Sequence, residues 1–184
     1  MKLKFLSSII ILNFFFTCNA QKKHEKVNTK FNESYSLSRK KFHGKLDSEQ
    51  LIQIRTLIVN ELKVEIDEKK SVLINFYQYG KNCYEYGLIE KDAQTVIDNS
   101  INISSRMSKK YDATDFFVFT EESLNKERFE KRKNFIQDSG FFDQTVFNLK
   151  ENCRAFFILK PNGEFLKYYG SDYFTEVENF LKKK

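Results

Sequence analysis

The chain has 184 residues, a formal net charge of +6 and 41% apolar residues, among them 20 Phe and 9 Tyr but no Trp. The length suits one domain with short extensions, and the apolar share excludes disorder along the whole chain. Lys and Arg are interleaved with Asp and Glu, so the positive balance reads as a solvated surface. The one dense stretch, Ser38 to Lys45 (SRKKFHGK), has no nucleic-acid-binding motif beside it, and no nucleic-acid partner is expected.

The first twenty residues, MKLKFLSSIIILNFFFTCNA, set Lys2 and Lys4 ahead of a mostly apolar run from Phe5 to Phe16. This is the pattern of a secretory signal peptide. The run is too short for a spanning helix, which needs about 20 apolar residues, and a polar, basic stretch follows it. Two processing routes are open: Cys18 and Ala20 are suitable small residues before a cut at Gln21, or Cys18 is the lipid-bearing first residue of a lipoprotein and anchors the chain to a membrane. Phe15, Phe16 and Thr17 make a poor lipoprotein box, which favours simple secretion. Either route places the mature chain outside the cytoplasm, periplasmic or secreted, where a disulfide persists.

Residues 21–45 are polar and Lys-rich and read as a tether that ends in an extended segment. A domain is expected over 46–184. Asp47 or Ser48 caps a first helix with Leu51, Ile54, Leu57, Ile58 and Leu62 at helical spacing. Ser71 to Tyr79 is nearly all apolar, as in a strand covered on both faces of a parallel sheet. After a loop at Gly80 to Asn82, a long helix carries Leu88, Ile89, Ala93, Val96, Ile97, Ile101, Met107 and Tyr111 along one stripe. Asp115 to Thr120 (DFFVFT) is a second buried strand, which through a crossover helix runs parallel to the first. Ser123 to Ser139 is expected as one charged helix with Leu124, Phe129 and Ile136 inward and Gly140 as its stop. Ala155 to Leu159 and Glu164 to Tyr169 flank Lys160-Pro161-Asn162-Gly163, where Pro presets φ and Asn-Gly tolerates positive φ, so they form a hairpin. Ser171 then opens a terminal helix with Phe174, Val177, Phe180 and Leu181 on one face.

Motifs for most chemistries are missing from the sequence. His24 and His43 both fall in the polar N-terminal segment without metal-ligand spacing, so no metal is expected. There is no Ser-His-Asp pattern and no phosphate-cradling Gly loop, and no cofactor is expected. Four tyrosines, Tyr77, Tyr79, Tyr84 and Tyr86, surround a loop holding one cysteine, Cys83; Tyr79 and Tyr84 are the candidates for an aromatic contact surface.

The predicted order β-α-β-α-β-β-α, with a parallel first pair and a final antiparallel hairpin, resembles the core of the thioredoxin fold, here preceded by an extra helix. SVLINFYQY resembles the strand that delivers the active site in secreted thioredoxin-like proteins of the cytochrome-maturation type, and AFFILKPNGEFLKYYG resembles their last hairpin. The departures are specific. Aligned without a gap, Lys81 and Tyr84 stand where the two cysteines of a Cys-x-x-Cys pair belong; with one deletion, Gly80 and Cys83 stand there. Arg154 takes the place of the cis-proline, and a cis bond before a non-proline residue costs about 2.5–4 kcal/mol, so trans is expected.

In that fold the residue before the cis-proline faces the active-site cysteines, and in this chain it is Cys153. The resemblance therefore implies that Cys83 and Cys153 meet, as a structural staple, as a non-adjacent redox pair, or as two unlinked thiols. It implies an extracytoplasmic, non-catalytic binding or accessory module of a bacterial envelope, with a protein or peptide partner. Tyr79, Lys81, Asn82, Tyr84 and Arg154 would mark its docking face. The alternative is a thiol-disulfide oxidoreductase or isomerase in which Cys83, its thiolate favoured by Lys81 and a helix N-terminus, attacks and Cys153 resolves. Nothing in the sequence indicates an oligomeric state.

Overall fold

The strand at Ser71–Tyr77, β2, is buried at every residue, and an apolar run of that kind is stable only with neighbours on both edges and cover on both faces. A computed structural model of the protein describes residues 36–171 and 174–183. The expected leader, the lipidation candidate Cys18 and the tether up to residue 35 lie outside the described residues.

The elements run β1 (Lys40–Lys45), α1 (Ser48–Leu62), β2, α2 (Glu90–Lys110), β3 (Ala113–Phe119), α3 (Lys126–Glu130), β4 (Phe135–Gln137), β5 (Arg154–Leu159), β6 (Glu164–Tyr169) and α4 (Phe174–Lys182). The six strands form one mixed sheet in the order β1-β6-β5-β2-β3-β4. β2 pairs parallel with β3 and antiparallel with β5, and β5 and β6 form the expected hairpin. Gly163 in its turn has φ +85°, and a Cβ there would stand 2.6 Å from the Leu46 carbonyl oxygen, which leaves glycine as the residue that fits.

Alternation along β2 divides the core. Val72, Ile74 and Phe76 face α1, joining Ile58, Leu62, Phe147, Phe157 and Leu159. Leu73 and Tyr77 face the other side, under α2, α3 and α4. A capping box starts α1: the Gln50 N–H donates to Asp47 Oδ1 at 2.8 Å and the Asp47 N–H to Gln50 Oε1 at 3.1 Å. Of the predicted stripe on α2, Ala93 and Ile97 are buried and Ile101, Met107 and Tyr111 pack on the core, joined by the buried Ser100, Ser104 and Ser108, while Ile89 is exposed. Ser104 accepts from the amide of Asn75, buried in the middle of β2, at 2.8 Å.

Two predicted features are corrected. The charged helix of 123–139 is helical only over Lys126–Glu130, and its second half is β4. The chain leaves the helix because the outer edge of β3 needs backbone partners: Phe117–Phe119 take Phe135–Gln137 in parallel register, and the Asp138 N–H donates to the Phe119 carbonyl at 2.8 Å. Phe135 then stacks on Phe129 with ring centroids 4.5 Å apart, a contact a continuous helix would not allow. Leu124, predicted inward, is exposed on the turn before α3. The second correction concerns where the domain starts: the extended end expected for 21–45 is β1, which pairs antiparallel with β6, so the sheet begins ahead of the expected boundary at 46.

Candidate functional site

The site lies where β2 ends. Gln78 is buried, and its side-chain amide donates to the carbonyls of Leu149 at 2.6 Å and Asn152 at 2.8 Å, while its own N–H donates to Cys153 at 3.1 Å. Gly80 is pressed against the same segment: a Cβ there would stand 2.3 Å from the Asn152 carbonyl carbon and the Cys153 nitrogen. Two further main-chain bonds cross the gap, from the Lys81 N–H to Lys150 at 3.2 Å and from the Asn82 N–H to Glu151 at 2.7 Å. The loop 78–83 is thus laced to 149–153 through its backbone.

At the end of this lacing Cys83 and Cys153 form a disulfide, with Cα atoms 5.0 Å apart. Cys83 is 1% exposed and Cys153 7%. A thiolate attacking this bridge from solution has little sulfur surface to reach. Among the described residues every peptide bond is trans, that before Arg154 included.

A 3₁₀ turn at Tyr84–Gly87 follows Cys83 and turns Glu85 inward. Glu85 Oε1 accepts from Arg154 Nε at 2.5 Å and Oε2 from the Asn125 amide at 2.5 Å. Arg154 Nη1 also donates to Ser100 Oγ at 2.6 Å, and Ser100 donates onward to the Val96 carbonyl at 2.8 Å. The guanidinium carbon lies 4.9 Å from the centre of the Tyr77 ring and 5.8 Å from that of Tyr84. Burial pushes both phenols above their ordinary pKa, against the opposing pull of Arg154. Neither tyrosine is therefore an acid or base near neutral pH.

The predicted site residues divide. Cys83 and Cys153 are joined, Lys81 is exposed and Asn82 half-buried beside them. Arg154 lies beneath the surface as the partner of Glu85, not on it. Tyr79 is exposed, but Tyr84 is half-buried over Arg154, and the second exposed tyrosine is Tyr86. Tyr86 stands against Tyr79, and its phenol is raised by burial and by that neighbour. With Ile89 and Leu124 they form a scatter of exposed apolar side chains on the loops after β2 and β3. Sequence reasoning missed Glu85, Ser100 and Asn125. One signal was available for Glu85: it stands two residues after Cys83, as Arg154 stands one after Cys153, so any link between the cysteines brings opposite charges together. Compared with models of known protein families and with curated proteins, the sequence matches none.

Proposed function

We propose that the chain is an extracytoplasmic protein with a thioredoxin-like fold that has lost dithiol chemistry. It serves as a non-catalytic binding or accessory module of the cell envelope, with Cys83–Cys153 as its staple. The strand order supports the fold reading: a hairpin, β5-β6, lies antiparallel to β2, and β2 lies parallel to β3. The long α2 connects β2 to β3, while the helix after β3 is reduced to five residues. The observation that carries the functional reading is the burial of the disulfide within a backbone seam. The carbonyls of Lys150, Glu151 and Cys153 all accept from the chain's own amides, so that a peptide lying across the bridge finds them occupied. The exposed Tyr79, Tyr86 and Lys81 around the seam suit contact with a protein partner.

The test is a thiol count by mass spectrometry on the purified protein, poised in a graded series of dithiol redox buffers. A staple is expected to stay closed to below about −300 mV. It closes a span of 70 residues, so replacing both cysteines by alanine is expected to lower stability by about 4 kcal/mol in the chain-entropy account. A bridge that opens reversibly at a much milder potential would overturn this reading and put the oxidoreductase alternative in its place.

A further inference from the structure

Among the described residues, Lys167 stands on the sheet face under α1 with no carboxylate paired to it. Along β6, Phe165, Lys167 and Tyr169 alternate onto that face. There a groove of about 400 Å³ opens between α1 and the π-helical turn at Phe142–Val146, walled by Ile54, Leu57, Val146, Phe157, Phe165 and Lys167. Small-molecule sites span about 300–1,000 Å³. Leu57, on the α1 side, is 40% exposed, so the groove is open to solvent there.

Lys167 Nζ donates one hydrogen bond, to the Val146 carbonyl at 2.9 Å, and lies 5.2 Å from the centre of the Phe42 ring and 5.8 Å from that of Tyr169. Among the described residues no carboxylate pairs with it. An ammonium has three donors, and Lys167, half-buried against an apolar wall, gives up part of its hydration without a carboxylate to replace it. Burial accordingly draws its pKa below the ordinary lysine value.

We propose that this groove binds a single-chain amphiphile with a carboxylate head. The hydrocarbon lies along Ile54, Phe157 and Phe165, and the carboxylate accepts from Lys167 Nζ. An apolar side chain from a protein partner would fill the groove and leave the ammonium uncompensated, whereas a long-chain carboxylate answers both features. The assignment is independent of how the disulfide is read.

The probe is cis-parinaric acid, a fluorescent long-chain fatty acid, titrated into the purified protein beside its methyl ester. The acid is expected to bind saturably and about tenfold to a hundredfold more tightly than the ester, the value of one charge-assisted hydrogen bond. Lys167→Met should bring the acid down to the level of the ester, and Lys167→Arg should keep the preference. Leu57→Asp sets a negative charge at the open side on an exposed helix position, and should weaken the acid more than the ester even if Lys167→Met fails to fold. Equal binding of acid and ester, acid binding unchanged in Lys167→Met or in Leu57→Asp, or no saturable binding would each overturn the proposal. So would a dimer in sedimentation that Leu57→Asp dissociates and that takes up no acid, which would give the groove to a second copy of the chain.

Discussion

Replacing Arg154 by Met is expected to destabilise the protein by about 3–5 kcal/mol, the cost of leaving one buried charge of a pair without its partner. The side chains of Arg154 and Glu85 are 3% and 4% exposed, so solvent cannot stand in for either. Without the guanidinium, Glu85 keeps neutral donors, the Asn125 amide and the Tyr84 hydroxyl. The reverse change, Glu85→Gln, leaves the guanidinium with Ser100 and the Tyr77 and Tyr84 rings, and a similar loss is expected. The informative variant is the double, Glu85→Gln with Arg154→Met, which removes both charges while the glutamine carboxamide still reaches Asn125. It is expected to be more stable than either single variant, because replacing a whole buried pair by neutral groups is often close to neutral. Urea denaturation with the disulfide intact reads this as the shift in midpoint at constant m. Additive single losses would sum to about 6–10 kcal/mol, comparable with the whole stability of a domain, about 5–15 kcal/mol, and the double would then be marginal or unfolded without denaturant. A double variant weaker than both singles would refute the argument that the loss in each single variant comes from stranding the opposite charge. Single losses under about 1 kcal/mol, the range of solvent-exposed pairs, would refute the burial argument.

Two other changes test the seam and the far end of the sheet. Gly80→Ala drives a methyl group into main-chain atoms 2.3 Å away, and since backbone yields less readily than a side chain the loss should be at or above the usual 1–3 kcal/mol for overpacking; thermal unfolding and the rate of disulfide re-formation check it, and an unchanged Tm would mean that the seam opens freely. Glu178 is held by Tyr111, Lys110 and Lys182, in that order of effect, and its pKa falls from 4.5 to about 2. A lowered carboxylate pKa gives stability that is present above the unfolded value and is lost as pH falls through the folded one. Glu178→Gln should therefore reduce the loss of Tm between pH 4.5 and about 2 and should matter less in high salt; parallel Tm curves for the two proteins over that window would sink the assignment.

The parts of the fold legible in the sequence are those fixed by neighbours along the chain. β2 announces itself as an unbroken apolar run, the β5-β6 turn by Pro161, Asn162 and Gly163, and α1 by its cap residue and helical spacing. β4, and the pairing of β1, are illegible for a common reason. Phe135 and Ile136 fit a helix stripe as well as a strand, and Lys40–Lys45 has no apolar alternation at all; both are strands because an edge elsewhere offers unpaired backbone groups. The inner face of α2 was legible in its large side chains, Ile97 buried and Ile101, Met107 and Tyr111 packed on the core, but not in the serines at 100, 104 and 108 that share the buried face.

The candidate site divides along the same line. Cysteine is rare enough in this chain that Cys83 and Cys153 identify each other once the fold is guessed, whereas Glu85 and Arg154 are two charges among many and become a pair only through the three-dimensional path. Yet disulfide, ion pair and the backbone bonds around Gly80 all join the same two stretches, about 70 residues apart. That concentration has a physical consequence. Once one tie is made, the entropy cost of closing the loop has been met, and the others form as nearly local contacts. The buried charges are therefore affordable because the bridge and the Gly80 contact already hold their partners within reach. Reduction of the disulfide alone should then cost the roughly 4 kcal/mol of its loop through the unfolded state yet leave the segment in place, since the remaining ties still close the same loop in the folded state.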